Sequence, residues 1–358
     1  MSGPLRTKAL IASIGICLGV FTWQVRPAGA QAQAQKGAVP PAQKEEIPPD
    51  SDYMYRKDAA ALDEIKAKVT DPQKLADTLL AWVKAKDPRA TRAIAYAAAY
   101  YGEVVSGVLK SDPQKALAMI QSFRAAAPAN TTLIPLEMSA YYQAKNLAKA
   151  AEIGEKLYAD KPSLDMANTL YTIYGQMNPP NADKMLVYGE KLVADVPIEK
   201  SYLAALQVAQ IYDQRRNPEK AVRYFTEVMS VYGDKVPAGY RETDWNAVRA
   251  AAFTAMAADS YTKKDYPKAI ELYTKVISFA PKTDEAACTA WYYIGMAKWR
   301  GKDQKGAIEP FAYAYVIGKS LSPKAKDNLE NLWKAEHNDS LDGLDAVIAK
   351  AKSDLGIK

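Results

Sequence analysis

An all-α array of helical hairpins, about seven helix-turn-helix repeats closed by a C-terminal helix pair, is the fold class this sequence predicts. Three observations predict it. The stretches IGEKLYADKP (residues 153–162) and YGEKLVADVP (188–197) match at seven of ten positions, 35 residues apart. DPQKL (71–75), DPQKA (112–116), NPEKA (217–221) and DYPKA (265–269) write nearly the same helix start four times. After Asp50 the composition stays rich in Ala, Leu, Lys, Tyr and Glu, and alternating strand patterns are scarce. Self-similarity at this period marks stacked supersecondary units.

The N terminus stands apart. Arg6 and Lys8 precede an apolar run from Ala9 to about Trp23, and PAGA supplies Ala28 and Ala30 as a small-residue exit. Residues 1–30 therefore read as a secretory signal peptide. The run is short for a permanent membrane span, but Arg26 between run and exit leaves an uncleaved anchor as the alternative. Cys17 follows SIGI with no small residue just before it, which argues against a lipidated terminus. The expected location is periplasmic or secreted, with possible association with the cell envelope.

Cleavage after Ala30 would lower the formal net charge from +6 to +3, too little and too evenly spread for nucleic acid. Cys288 would then be the one remaining cysteine, and its neighbours in EAACTAW suit a buried free thiol. Residues 31–50, QAQAQKGAVPPAQKEEIPPD, have almost no apolar bulk and read as a disordered Pro/Gln-rich stalk.

Residues 51–321 carry the repeats. Anchors at Leu75, Ala116, Ala150, Met185, Ala221, Ala269 and Ala307 follow one another at 41, 34, 35, 36, 48 and 38 residues. Asp or Asn ahead of an anchor caps a helix by accepting the orphan N–H groups of its first turn, and Pro just after it fits the first helical positions. Pro128, Pro162, Pro197 and Pro281 each stand twelve residues past an anchor and stop the helix there. Apolar-periodic stretches such as SYLAALQVAQIYDQ (201–214) and TAWYYIGMAKW (289–299) lie ahead of the capped helices, which completes a hairpin per unit. A small anchor suits a close helix crossing. One hairpin cannot bury its own apolar face, so the units must stack.

These units resemble tetratricopeptide (TPR) repeats. In AWYYIGMAKWRGKDQKGAIEPF, Trp291, Ile294 and Gly295 fill the W-x2-L-G places, and Ala307 and Phe311 the A-x3-F places. Ala257, Tyr261, Tyr266, Ala269, Tyr273 and Pro281 give a second copy, and Ala221 with Phe225 a third A-x3-F. The resemblance covers roughly residues 55–320 and implies a right-handed TPR-like solenoid. Departures are Lys298 where the family often has Tyr, Lys319 where the last full repeat should have Pro, and Met185 and Leu75 in place of the small anchor. Residues 234–250, DKVPAGYRETDWNAVRA, add a longer link before the sixth unit. Residues 322–358 read as two capping helices, the first capped by Ser322 with Pro323 after it and the second by Ser340, with Lys350 and Lys352 complementing the last turn.

No catalytic constellation emerges. GKS (318–320) resembles the end of a phosphate-binding loop, but Tyr313 occupies the place of its first glycine. His337 is the only histidine, too near Asp339 and Ser340 in sequence to line up as a relay. One His and one mature Cys make no conventional zinc site. Glu45 with Glu46, and Asp342 with Asp345, lie in the stalk and near a helix start. A non-enzymatic protein is expected, with no cofactor, no metal and no small-molecule substrate.

The 23 tyrosines and six tryptophans are the excess that asks for a role. By resemblance, the concave face is lined from the first helix of each unit. That transfer selects Tyr142 and Gln143, then Gln210, Asp213 and Gln214, then Tyr261 and Thr262, then Tyr292, Met296, Trp299 and Arg300. Tyr, Trp, Met and Arg are enriched at protein-binding surfaces. The expected function is a scaffold for a protein or peptide partner. The alternatives are a carbohydrate or cell-wall binder using exposed Tyr and Trp, and a membrane-tethered assembly factor.

Overall fold

The computed structural model describes residues 47–358. The signal peptide and most of the stalk expected from the sequence lie outside the described residues. Among the described residues sixteen helices follow one another in pairs: α1 (Asp52–Lys68) with α2 (Pro72–Ala85), α3 (Thr91–Leu109) with α4 (Pro113–Ala126), α5 (Ile134–Gln143) with α6 (Leu147–Asp160), and α7 (Leu164–Gln176) with α8 (Ala182–Asp195). Then come α9 (Ile198–Gln214) with α10 (Pro218–Tyr232), α11 (Glu242–Thr262) with α12 (Tyr266–Phe279), α13 (Glu285–Arg300) with α14 (Gln304–Ile317), and α15 (Ser322–Glu336) with α16 (Leu344–Leu355). There is no strand among the described residues. The chain divides into two compact units, one ending at Leu136 and the other running from Glu137 to Lys358.

Helix starts lie where the cap chemistry puts them. Asp71, Asp112, Asn217 and Asp265 each accept the backbone N–H three residues on, at 2.7, 2.9, 3.2 and 3.1 Å. Asn146, Asn181 and Asp303 do the same for α6, α8 and α14. The prolines at 128, 162, 197 and 281 each stand two residues past a helix end. Lys319 has no such stopping role; Gly318, left-handed at φ 72°, ends α14 instead. Four turns within hairpins are built alike, with Lys145, Arg216, Lys264 and Lys302 left-handed at φ 58–70°. Each stands directly before the cap.

The small anchors are buried as a close crossing requires: Ala116, Ala150, Ala269 and Ala307 are fully covered and Ala221 is 1 % exposed. Met185 is buried too, whereas Leu75 is only half-buried and Ala76 beside it takes the covered position. The matched decapeptides owe their glycines to packing. A Cβ on Gly154 would lie 2.8 Å from Leu170 Cδ2, and one on Gly189 would lie 2.7 Å from Val208 Cγ2 and 2.9 Å from the Tyr171 ring. These two units thus leave room for side chains of the following hairpin, where Phe225, Tyr273 and Phe311 fill the same place in later units.

The long spacing before the sixth unit is only partly a link. Residues 242–250 extend α11 to 21 residues. Trp245, fully buried, donates its indole N–H to the Tyr232 carbonyl at 3.0 Å and sits edge-on to Tyr202 and Tyr240. At the C terminus both expected caps differ. Ser322 is buried at the start of α15, where its hydroxyl donates to the Ala314 carbonyl at 2.6 Å and accepts from Lys319 N–H. Ser340 accepts from Asp342 N–H, and the left-handed Gly343 precedes α16. A hydroxyl next to a tight turn satisfies the nearest orphan group, which need not be a helix N terminus.

Within the first unit, Tyr101 and Phe123 pack at 4.9 Å around a core that includes Leu62, Leu79 and Ile120. In the second, one buried cluster runs from Met138 to Ile294 and another from Ala287 to Ala351, with Trp291 packed against both. A core of this kind, spread along the stack and formed between neighbours, is what hairpin stacking produces.

Candidate partner-binding face

All eleven residues picked from the sequence lie in the second unit on first helices, Tyr292 in the middle of its helix and the others toward the C-terminal ends. Gln143 ends α5; Gln210, Asp213 and Gln214 end α9; Tyr261 and Thr262 end α11; Trp299 and Arg300 end α13. Each of these four helices is followed by the same kind of turn, with Lys145, Arg216, Lys264 or Lys302 left-handed. Gln143, Asp213, Gln214, Thr262 and Arg300 are exposed, whereas Tyr142, Gln210, Tyr261, Tyr292, Met296 and Trp299 are half-buried.

Contacts tie neighbouring first helices into a row. Tyr142 donates its hydroxyl to Gln176 Oε1 on α7 at 3.0 Å. Tyr261 on α11 packs edge-on to Tyr293 on α13 at 5.3 Å. Asn328 on α15 donates to Met296 Sδ on α13 at 3.4 Å. Burial raises the Tyr261 pKa, with nearby Arg300 opposing it, and raises that of Tyr292, with nearby Asn328 opposing it. Neighbouring groups also strip water from the Asp213 carboxyl and push its pKa up, although the residue as a whole is exposed.

The half-buried aromatics have packing duties. Tyr292 and Trp299 meet Phe311 edge-on at 5.8 and 6.4 Å, and Met296 joins them against the C-terminal cluster. Sequence reasoning missed Gln176 and Asn328, which complete the row from α7 and α15. Their residue type gives no periodic signal, and only the contacts reveal them.

It also missed what the repeated GEK does. Glu155 accepts from the Tyr174 hydroxyl, Lys184 Nζ and the Tyr188 hydroxyl, each at 2.7 Å. Glu190 accepts from Tyr212, Tyr224 and Lys220 at 2.6, 3.2 and 3.4 Å. Burial works against ionising both carboxyls, but the donors outweigh it and hold each below the ordinary glutamate pKa. Each glutamate thereby bolts its helix to the next hairpin.

The other chemistry-bearing residues are apart. Cys288 is buried, its thiol pushed up by burial and lying 3.4 Å from the Ala314 carbonyl. The His337 ring stacks on Trp333 at 3.8 Å, with Nδ1 2.9 Å from the Trp333 carbonyl. Ser320 bonds Glu285 rather than opening a phosphate cradle. Among the described residues no group of three or more His, Cys, Asp and Glu side chains could hold a metal. None of the helices described is long and apolar enough to cross a membrane.

Successive helical hairpins, most with an Asp or Asn cap on the second helix and a buried small anchor behind it, make this an all-α, TPR-like solenoid chain. No family model matches the sequence. No curated protein matches it either. Among solved structures, it is similar to a tetratricopeptide repeat protein from Parabacteroides merdae, at 17 % identity over 78 % of this chain and 98 % of that one, with a TM-score of 0.33. It is similar also to the TPR2AB domain of yeast Sti1 in complex with pHSP90, at 16 % identity over 84 % and 100 %, TM-score 0.34. Yeast Tom70 matches at 15 % identity over 84 % of this chain and 62 % of its own, TM-score 0.35.

Proposed function

We propose that the chain is a non-catalytic scaffold, exported from the cytoplasm, that holds a protein or peptide partner against the row of first helices in its second unit. The observation that carries this reading is the row itself. Exposed Gln143, Asp213, Gln214, Thr262 and Arg300 stand on the same row of first helices as half-buried Tyr142, Tyr292, Trp299 and Met296, which are held by Gln176, Phe311 and Asn328. A surface ordered before binding loses little entropy when a partner docks, which is how a stacked scaffold gains affinity. The carbohydrate alternative draws less support, because Tyr292 and Trp299 already have Phe311 against them.

The test replaces exposed residues only, since Tyr292 and Trp299 support the core. The double variant Asp213→Lys/Arg300→Glu and the wild type are used to capture partners from an envelope extract of the source cells, read by mass spectrometry. A protein captured by the wild type and lost in the variant is the expected result. Identical captures, or recovery of glycan alone, would refute the assignment of this face. Export has its own test. A mature mass beginning at Gln31 supports it, and a mass retaining residues 1–30 in the envelope fraction would favour the tethered reading.

A further inference from the structure

The lock formed by each GEK glutamate occurs in two successive registers and then stops. Its partners are placed by the backbone: Asn181, Asn217 and Asp265 donate their N–H groups to the carbonyls of Tyr174, Tyr212 and Ser260, at 3.0, 2.9 and 2.9 Å. In the first two registers the tyrosines, Tyr174 with Tyr188 and Tyr212 with Tyr224, stack in parallel at 6.2 Å beside Glu155 and Glu190. One register on, the equivalent positions hold Thr226 for the glutamate and Ser260 and Leu272 for the two tyrosines. The lysine remains, as Lys268. The register after that, with Thr274 and Pro310, restores no carboxylate either but carries Lys298 where Ser260 stands.

Where the two rings and the carboxylate are missing, there is a groove of about 380 Å³ between α10, α11 and α12, lined by all four of these residues. Met229, Phe253 and Met256 add apolar lining, and its charged groups are Lys268, Lys275, Glu271 and Asp234. Lys184 and Lys220 reach back to a glutamate of the preceding hairpin. Lys268 has only Thr226 there, and donates instead to Glu271 on its own helix at 2.8 Å. Lys275 lies 5.2 Å over the Phe253 ring.

We propose that this groove binds a small aromatic carboxylate, its ring lying where the two phenols are missing and its carboxylate beside Lys268 where the glutamate is missing. The chain itself shows which chemistry fits, because it fills the two equivalent volumes with phenol rings and a carboxylate bonded to lysine. A groove of this size is within the range of small-ligand sites, and a charge-assisted bond at one end with ring contacts at the other fixes orientation.

The probe is 3-(4-hydroxyphenyl)propionate, titrated into the full chain by calorimetry and by ligand-observed NMR. Saturable binding is expected. Lys268→Met, at a half-exposed rim position, should weaken it by about tenfold, the worth of one charge-assisted bond. The uncharged amide of the same acid should bind about tenfold more weakly than the acid for the same reason. The triple variant Thr226→Glu/Ser260→Tyr/Leu272→Tyr restores the lock and should abolish binding. Absence of saturable binding to the wild type would overturn the proposal. So would unchanged affinity in Lys268→Met, a measurement that stands even where the triple variant does not fold.

Discussion

Replacing Gly189 by alanine adds one methyl group to a helix, a change that ordinarily stabilises by about 1 kcal/mol. Here the new Cβ would lie 2.7 Å from Val208 Cγ2 and 2.9 Å from Tyr171 Cε2, both closer than carbon atoms approach. Neither neighbour gives way easily. Val208 is β-branched and stiff at χ1, and the Tyr171 hydroxyl is tied to Gln207. Overpacking a filled site costs about 1–3 kcal/mol, and stiff neighbours place this one in the upper half of that range. The net effect of Gly189→Ala is then a destabilisation of about 1–2 kcal/mol. Gly107 in α3 is the matched control, because a Cβ there meets nothing within 4 Å. Gly107→Ala should stabilise by about 1 kcal/mol. Urea denaturation followed by far-ultraviolet circular dichroism reads both as midpoint shifts of opposite sign. A midpoint that rises in Gly189→Ala as it does in Gly107→Ala would refute the close-crossing explanation of the repeated glycine.

Further outcomes follow from the same geometry. Ala269→Leu and Ala307→Leu put a larger side chain at fully covered anchors and should each lower stability by about 1–3 kcal/mol; unchanged denaturation midpoints in both would show that the register is wrong. Lys264 is left-handed at φ 63°, so Lys264→Gly should relieve strain and stabilise by up to about 1 kcal/mol, and a lower melting temperature would contradict that. Glu155 and Glu190 have folded pKa values held below their ordinary 4.5. Their contribution is therefore complete above that value and fades as pH falls through the folded values. A Glu155→Gln/Glu190→Gln variant should lose less stability than the wild type between about pH 5 and pH 3, and parallel pH profiles would show that the two locks carry none of the acid sensitivity.

The parts of the fold legible in the sequence were those written by backbone chemistry. A cap residue, a first-turn proline and a stopping proline act within a few positions, so Asp71, Asp112, Asn217 and Asp265 could be read locally. The buried alanine anchors were legible because a close crossing admits little else. What stayed hidden depends on a partner elsewhere in the chain. Gly154 and Gly189 read as repeat residues without a cause until Leu170 and Val208 lie against them. Ser322 and Ser340 looked like caps because a hydroxyl before a helix usually is one, but nearer acceptors and donors claimed them. Met296, Tyr292 and Trp299 were chosen as a face by position, and the structure shows that packing on Phe311 and Asn328 shares them. Gln176 carries no sequence signal, and only its bond to Tyr142 ties it to the same row.

The most direct test of the account places a photo-reactive benzoylphenylalanine at Gln214, exposed at the end of α9, and in a second protein at Val187, 58 % exposed on the second helix α8. Irradiation in envelope extract of the source cells should join a protein partner to the Gln214 position and not to Val187. The same crosslinked protein from both positions, or from Val187 alone, would contradict the assignment of the partner face to the first helices.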